Sequence, residues 1–231
     1  MDKIGKETKG GFMKAVIFDF DGTLTEKKGN LWKKIWKDLG YDIGPDSYYV
    51  SLFKRFMSGN ITHKEWCELT LEAYQAKGLN KQKFDEITDS VVLMDGAEDL
   101  IKYLYSNGLE LHIVSGNIIS VIEKVLGSNK KYITEIKANE FLFDENGNIT
   151  EIVGTKYDHE GKATYIKELC EKKGYKPSEV LFIGNSMNDE WVHESGARTL
   201  CVNPDDTKSE NSTIWNKVIH TDNLMDLERE I

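Results

Sequence analysis

The sequence predicts an α/β fold: a doubly wound parallel sheet with a small helical domain inserted after the first strand. Short apolar runs rich in β-formers alternate with amphipathic segments over most of the chain. Neighbouring parallel strands need a crossover helix, so this alternation indicates helices on both faces of a sheet. Between about residues 26 and 93 the alternation stops, and aromatic and aliphatic residues recur at helical spacing among lysines and glutamates. That change in pattern predicts the helical insert.

The predicted elements follow in order. Residues 14–18 (KAVIF) are a buried strand that ends in the polar turn DFDGT. After the insert we expect a helix over 96–108, a strand over 109–115, a helix over 117–127, a hairpin over 140–153, a helix over 162–174, a strand over 180–184, a helix over about 188–195, a strand over 199–202 and a helix over 223–231. We therefore divide the chain into a flexible extension (1–12), a core (13–25 plus 95–231) and a helical cap (26–94).

Composition excludes several classes of protein. Of 231 residues, 39% are apolar and 30% charged, as in a soluble globular protein, and the net charge of −9 disfavours nucleic acid as a partner. The cysteines Cys67, Cys170 and Cys201 are odd in number and far apart, so neither a disulfide framework nor a zinc knuckle is expected. No apolar run approaches the roughly 18 residues of a membrane helix. We expect a cytoplasmic protein without a membrane partner; its oligomeric state stays open.

Polar segments follow several of the predicted strands. Parallel sheets bind ligands at the carboxyl ends of their strands. Asp19 and Asp21 come directly after the first strand, before Gly22. Two aspartates at this spacing repel each other unless a cation lies between them or one stays protonated. The alternative is an ordinary Asp-Gly turn.

Two further segments could bind an anion. Ser115 and Gly116 end a strand before a helix, where a hydroxyl and backbone N–H groups can hold a phosphate; the alternative for Ser115 is a helix cap. Lys162 stands at the start of a helix, where the macrodipole disfavours a cation unless an anion is bound nearby. The alternative for Lys162 is an ordinary surface lysine.

A fourth segment, residues 183–189 (IGNSMND), offers oxygen donors after an apolar strand. The side chains of Asn185 and Asp189 are of the kind that a hard divalent ion such as Mg²⁺ prefers. The alternative is a turn of common composition. Individually each of the four segments is a weak signal, and their order and spacing carry the interpretation.

In order and spacing, the four segments resemble the haloacid dehalogenase superfamily. The pattern of that superfamily is an Asp-x-Asp-Gly-Thr loop, a strand-end Ser or Thr, a lysine and a Gly-Asp-x-x-x-Asp loop. The resemblance runs from about residue 13 to the end. Within the superfamily the chain looks most like the phosphoserine phosphatase-like branch, because the helical insert falls between the first and second segments and a hairpin, EFLFDENGNIT, precedes the lysine.

The resemblance implies a Rossmann-like core and a Mg²⁺-dependent phosphatase acting on a small phosphorylated metabolite. Asp19 would be the nucleophile that carries a transient phosphoryl group, and Asp21 the acid and then the base. The remaining implied roles are phosphate binding by Ser115, Gly116 and Lys162, and Mg²⁺ binding by Asp19, the main-chain carbonyl of Asp21, Asn185 and Asp189, the last directly or through water.

The sequence departs from the superfamily pattern at several positions, and other functions therefore stay open. Asn185 stands where the superfamily usually has a metal-binding aspartate, so we expect weaker Mg²⁺ binding. Phosphoserine phosphatases carry an acidic residue shortly after the first loop and an arginine in the insert, which pair with the two charges of the amino acid. Neither has a clear counterpart here. The residues after the first loop are Glu26-Lys27-Lys28, and Arg55 is the only arginine of the insert. The alternatives are a phosphomutase and a non-catalytic phosphate-binding or regulatory module. A dehalogenase would not need Asp21.

Overall fold

The sheet is built as the sequence predicts. A computed structural model describes residues 12–26 and 30–231, and within them seven strands form one sheet in the order β4-β3-β2-β1-β5-β6-β7. The strands are β1 (Ala15–Phe18), β2 (Glu110–Ile118), β3 (Glu135–Phe143), β4 (Ile149–Val153), β5 (Val180–Gly184), β6 (Arg198–Val202) and β7 (Lys217–Ile219). All pairings are parallel except that of β4 with β3. The α/β fold class is confirmed.

Helices fall into two groups along the described chain. The insert contributes α1 (Leu31–Asp38), α2 (Tyr48–Met57), α3 (His63–Ala76) and α4 (Lys81–Thr88). The core carries α5 (Ala97–Ser106), α6 (Ile119–Leu126), α7 (Glu160–Lys173) and α8 (Thr207–Glu210), with 3-10 helices over Gly127–Tyr132, Pro177–Glu179, Met187–Ser195 and Leu224–Glu230. In the described residues, no helix is both long enough and apolar enough to span a membrane.

Strand β1 lies in the middle of the sheet and is buried on both faces. Val16 and Phe18 pack in one apolar cluster with residues of α5, such as Leu100, whereas Ile17 packs in another with Ile166 of α7. A strand covered on both sides must be apolar at every position, which explains the continuous run AVIF. This central strand delivers Asp19 to the carboxyl edge of the sheet.

The insert has an aromatic core of its own. Trp36 is fully buried, and its ring lies 4.7 Å from that of Tyr41 and 5.4 Å from that of Tyr74. The apolar cluster continues onto the hairpin of β3 and β4 through Phe141 and Ile152. The helices of the insert begin at side chains that accept a hydrogen bond from the first turn, namely Asn30, Ser47, Thr62 and Asn80.

Two connecting segments join the insert to the core, and they run antiparallel. Thr25 forms an isolated bridge with Leu93, and the backbone N–H of Met94 donates to the carbonyl of Leu24 at 2.9 Å. The bridge lies close to the predicted boundaries at residues 25 and 95. The division into a core and a cap stays a prediction, and residues 1–11 of the predicted extension lie outside the described residues.

The carboxyl end of β2 differs from the prediction. The sequence indicated a strand ending at Ser115 and a helix from 117, but β2 continues to Ile118 and α6 begins at Ile119. The pairing of β2 with β3 shifts register after Val114 and resumes where Ile118 meets Asn139. Tertiary pairing therefore overrides the local pattern there. The segments predicted as helices over 188–195 and 223–231 are 3-10 helices.

Candidate active site

A cavity of about 400 Å³ opens at the carboxyl edge of the sheet, beneath the insert. Predicted site residues from β1, β2 and the loop after β5 share it with residues of the insert. Its lining is Asp19, Asp21, Gly22, Asn30, Trp32, Tyr49, Phe53, Phe56, Trp66, Ser115, Gly116, Asn139, Asp158, His159, Asn185, Ser186, Asn188 and Asp205. The sheet thus brings the first, second and fourth sequence segments to one place, as expected for parallel strands.

The loop after β1 is held in a tight conformation. Asp19 is 3% exposed, and its backbone N–H donates to the carbonyl of Ile183 at 2.9 Å. Gly22 has a φ of +71°, and a Cβ at that position would lie 2.4 Å from Nδ2 of Asn185. Only glycine combines this conformation with so close an approach. Gly22 therefore allows the loops after β1 and β5 to meet.

Lys162 is buried in the structure and is not a surface lysine. Its Nζ lies 2.9 Å from Oδ1 of Asp19 and also donates to Asp189, and the side chain is fully inaccessible to solvent. Burial alone would lower the pKa of Lys162, but the carboxylates of Asp189 and Asp19 outweigh it and raise the pKa above its usual range. Lys162 therefore stays a cation directly behind Asp19.

Asp189 faces Lys162 and does not line the cavity. Its Oδ1 accepts the bond from Lys162, and its Oδ2 accepts from the backbone N–H groups of Asn185 at 3.3 Å and Ser186 at 3.4 Å. A Cβ on Gly184 would lie 2.3 Å from that Oδ2, so glycine is needed for the approach. Both oxygens of Asp189 are engaged by the protein, whereas Asn185 is on the cavity wall.

Asp21 has an unusual acidity. Burial raises the pKa of Asp21 to about 7, and the charge of Asp19 adds to the rise. The side-chain amide of Asn117 donates to Oδ1 of Asp21 at 2.6 Å, and this hydrogen bond lowers the pKa of Asp21. A carboxyl group with this pKa holds its proton for part of the time near neutrality. It can therefore act both as an acid and as a base.

Ser115 and Gly116 line the cavity from inside β2. Ser115 is 1% exposed and does not cap α6: the residue at the cap position is Ile118, without a side-chain cap. The carbonyl of Gly116 accepts from the indole N–H of Trp32 at 2.8 Å and from Nδ2 of Asn139 at 2.6 Å. Trp32 of the insert and Asn139 of β3 therefore hold the backbone of Gly116 in place.

Several cavity residues were missed by the sequence reasoning. Asn188, which lines the cavity, lies within the fourth segment, and Asn117, which donates to the lining residue Asp21, comes two residues after Ser115. Proximity to the motifs was therefore an available signal for both. Asp158 and Asp205 stand in loops that no motif marked. Only the three-dimensional structure brings these two carboxylates to the cavity.

The oxygen donors around Asp19 are of the kind that a hard cation prefers. Among residues 12–26 and 30–231, no three His, Cys, Asp or Glu side chains are grouped as a metal cluster. The cavity is lined by side chains with oxygen donors, among them the carboxylate of Asp19 and the amide carbonyl of Asn185. The resemblance adds the main-chain carbonyl of Asp21 as a candidate ligand. An all-oxygen set is what Mg²⁺ prefers, and Mg²⁺ commonly keeps several waters, so few protein ligands suffice.

Comparisons with known proteins identify the family to which the chain belongs. The haloacid dehalogenase-like hydrolase family matches residues 13–191. A phosphoserine phosphatase of Archaeoglobus fulgidus is 27% identical over 192 residues, which cover 81% of this chain and 52% of that protein. A phosphoserine phosphatase of Lactococcus lactis subsp. lactis is 29% identical over 175 residues, covering 75% of this chain and 76% of that protein. The chain thus spans about half the length of the Archaeoglobus relative.

Solved structures show the same fold. A phospho-aspartyl intermediate analogue of phosphoserine phosphatase superposes with a TM-score of 0.72 at 18% identity, over 96% of this chain and 100% of that one. A phosphoserine phosphatase from T. onnurineus gives 0.63, also at 18% identity, over 98% and 100% of the two chains. The family match covers most of the chain, and the relatives agree on the branch. The chain therefore belongs to the haloacid dehalogenase-like hydrolase family and resembles its phosphoserine phosphatase-like branch.

Proposed function

We propose that this chain is a Mg²⁺-dependent phosphatase that hydrolyses a small phosphomonoester through an aspartyl-phosphate on Asp19. The observation that carries the proposal is the ion pair between Lys162 and Asp19 at the floor of the cavity, 2.9 Å long and shielded from solvent. A buried cation beside a carboxylate lowers the repulsion between that carboxylate and an incoming phosphate. Membership of the hydrolase family supports the same reaction class.

In the first step, a carboxylate oxygen of Asp19 attacks phosphorus, and the bond from phosphorus to the ester oxygen breaks. Asp21 donates its proton to the departing alcohol oxygen. The pKa of about 7 supports this role, because a carboxyl group at its ordinary pKa of 3.8 would rarely hold a proton to give. The products of this step are the free alcohol and phosphorylated Asp19.

In the second step, Asp21, now ionised, takes a proton from water as the water oxygen attacks the phosphorus of the aspartyl-phosphate. The bond between phosphorus and the Asp19 oxygen breaks, and inorganic phosphate leaves. The hydroxyl of Ser115 and the backbone N–H of Gly116 hold the phosphoryl oxygens in both steps, and the ammonium of Lys162, behind Asp19, neutralises charge on the nucleophile and the transferring group. Phosphoryl transfer depends mainly on such positioning and charge stabilisation.

Mg²⁺ would be held by Asp19, the main-chain carbonyl of Asp21 and Asn185, and when bound it supplies positive charge that offsets the repulsion between Asp19 and the phosphate. We propose a different role for Asp189 from the one its sequence position indicated. Because its oxygens bond Lys162 and the N–H groups of Asn185 and Ser186, it positions the lysine and the loop. This assignment leaves the metal with one carboxylate, from Asp19.

A screen of small phosphomonoesters with and without Mg²⁺ tests the proposal. We expect Mg²⁺-dependent release of phosphate by the unaltered chain and its loss in Asp19→Asn. Asp46→Asn is the matched control, because Asp46 is exposed and does not line the cavity. Hydrolysis that survives Asp19→Asn would contradict the covalent mechanism. Transfer of phosphate within a sugar phosphate, without release, would indicate a phosphomutase instead.

A further inference from the structure

The wall of the cavity that faces Asp19 comes from the insert and is aromatic. It consists of Trp32 from α1, Tyr49, Phe53 and Phe56 from α2, and Trp66 from α3, which we call the aromatic wall. The ring centroids of Trp32 and Trp66 lie 4.7 Å apart, and those of Phe56 and Trp66 lie 5.7 Å apart. The leaving group of a bound phosphomonoester would have to lie against these rings.

The ionisable side chains that line the cavity are acidic except for that of His159. The described lining residues include four aspartates (Asp19, Asp21, Asp158 and Asp205) and neither lysine nor arginine. Lys162 lies behind Asp19 and is engaged by two carboxylates. Arg55 is exposed on α2 and does not line the cavity. Apart from His159, whose Nε2 lies 3.8 Å from Oδ2 of Asp158, a carboxylate on the leaving group would therefore meet no basic side chain of the described lining.

Asp158 brings negative charge between the phosphate-binding segment and the aromatic wall. Its Oδ2 lies 2.6 Å from the Cβ position of Gly116 and 3.8 Å from Nε2 of His159. Burial lowers the pKa of His63, and the charge of Asp158 partly opposes that fall. The ring of His63 in turn lies 5.3 Å from Phe56. The field of Asp158 thus reaches the residues that pack beside the rings.

We propose that the substrate is a phosphomonoester of an amino alcohol whose alkylammonium group lies against the aromatic wall and which carries no carboxylate. This inference rests on the proposed phosphatase function and names its substrate class. Aromatic rings attract cations through the negative charge of their faces, and cages of such rings are a general device for binding quaternary ammonium groups. Asp158 supplies the opposite charge, and the cavity volume of about 400 Å³ suits a small ester.

A neutral leaving group would interact favourably with the aromatic wall but not with Asp158. An alkyl or aryl group could pack on the rings, but closing the site over it would strip water from Asp158 without providing a positive partner. An ammonium group removes that cost and gains the attraction of the rings. Phosphoserine brings an ammonium but also a carboxylate, which Asp158 would repel.

The test compares kcat/KM for four esters: phosphocholine, its neutral isostere 3,3-dimethylbutyl phosphate, phosphoserine, and methyl phosphate as a substrate without a head group. We expect phosphocholine to exceed the isostere by on the order of tenfold, and both to exceed phosphoserine. Affinities of the same esters for the Asp19→Asn chain, measured by calorimetry, should follow the same order. This binding assay does not depend on turnover.

Variants assign the preference to named groups. Phe56→Leu and Asp158→Asn should each reduce the ratio of phosphocholine to isostere several-fold. Phe56→Tyr keeps a ring and should preserve the ratio. Tyr105→Leu is the matched control, because Tyr105 is exposed on α5 and does not line the cavity. We choose Phe56 for replacement because it is only half-buried, whereas Trp32 and Trp66 are buried, and replacing a buried ring would disturb the fold more.

The outcomes separate the two proposals. Hydrolysis of methyl phosphate with equal rates for phosphocholine and the isostere, or with phosphoserine as the best ester, would overturn the alkylammonium site and leave the phosphatase standing. Absence of any hydrolysis would overturn the phosphatase. In that case, tighter binding of phosphocholine than of the isostere still supports the site, and equal binding overturns it as well.

Discussion

Asp21 carries the titration on which the proposed acid and base steps depend. Its pKa is raised from 3.8 to about 7, so the folded chain binds this proton more tightly than the unfolded chain does. Stability therefore falls as the pH rises from about 4 to about 7, because above the raised pKa a buried charge must be maintained. Asp21→Asn removes the group that titrates.

We predict that the difference in unfolding free energy between Asp21→Asn and the unaltered chain grows in favour of the variant from pH 4 to pH 7 and then levels off. The measurement is urea unfolding across that range, without Mg²⁺ or substrate. Asp46→Asn, at an exposed site, controls for the loss of one carboxylate. A difference that stays constant with pH would show that Asp21 titrates normally.

Asn185 sets the metal affinity in this account. Its side chain lines the cavity beside Asp19 and Asp21, and it offers a neutral oxygen where a carboxylate is usual in the superfamily. We predict that Asn185→Asp binds Mg²⁺ more tightly, by on the order of tenfold, because the number of charged ligands tunes the affinity of such sites. Calorimetric titration with Mg²⁺ measures this. An unchanged affinity would remove Asn185 from the metal site.

Single residues also show where sequence reasoning reaches its limit. Asp19, Asp21 and Ser115 could be placed at the cavity, because parallel strands end at one edge of a sheet. The environment of Lys162 could not be predicted, because an isolated lysine at a helix start is usually exposed. The sequence also could not show that Asp189 turns away from the cavity toward that lysine.

Strand β5 and the loop after it depend on Gly184. A Cβ there would lie 2.3 Å from Oδ2 of Asp189 and 2.8 Å from the ring of Phe182. We predict that Gly184→Ala destabilises the fold by about 2 kcal/mol or more, since overpacking forces buried groups to move. It should also reduce turnover by displacing Asp189 from Lys162. Urea unfolding and phosphate release measure the two effects.

Gly108 provides the matched control. It has a φ of +81° but open space around its Cβ position, so Gly108→Ala should cost only the backbone strain, about 1 kcal/mol, without loss of turnover. Equal losses of stability in the two variants, with activity retained in both, would show that the loop after β5 tolerates the extra atom. The close approach would then have no structural role.

Elements were predictable where local pattern and tertiary packing agree. Strand β1 is an unbroken apolar run because helices cover both of its faces, so the sequence pattern predicts it. The hairpin of β3 and β4 is predicted by its Asn-Gly turn. The carboxyl end of β2 was not predictable. Its last residue, Ile118, pairs with Asn139 of β3, and no local signal in Ser115, Gly116 or Asn117 indicates that pairing.

The insert meets the core at Gly116, in the segment that we propose binds phosphate. The indole N–H of Trp32 donates to the carbonyl of Gly116 at 2.8 Å, and the connecting segments pair at Thr25 and Leu93. We propose that the insert is a cap that closes over the cavity and excludes water. The sequence could indicate that such a unit exists, but not which of its rings line the site.

We predict that Trp32→Phe loosens the insert, because it keeps an aromatic ring and removes the bond to Gly116, worth about 1 kcal/mol. Backbone hydrogen exchange in α1 should become several-fold faster, while exchange in β1 stays the same. Trp191→Phe, at a partly exposed position outside the cavity, is the control. Unchanged exchange in α1 would mean that the Trp32 bond does not restrain the cap.

The proposed mechanism requires a phosphorylated Asp19, and this intermediate can be trapped. The unaltered chain is mixed with a turned-over phosphomonoester and Mg²⁺, quenched in acid within one turnover, and analysed by mass spectrometry. We predict the added mass of one phosphoryl group on the peptide containing Asp19, and none in Asp19→Asn. Phosphate release with no phosphorylated peptide at any quench time, or with the group on another residue, would contradict it.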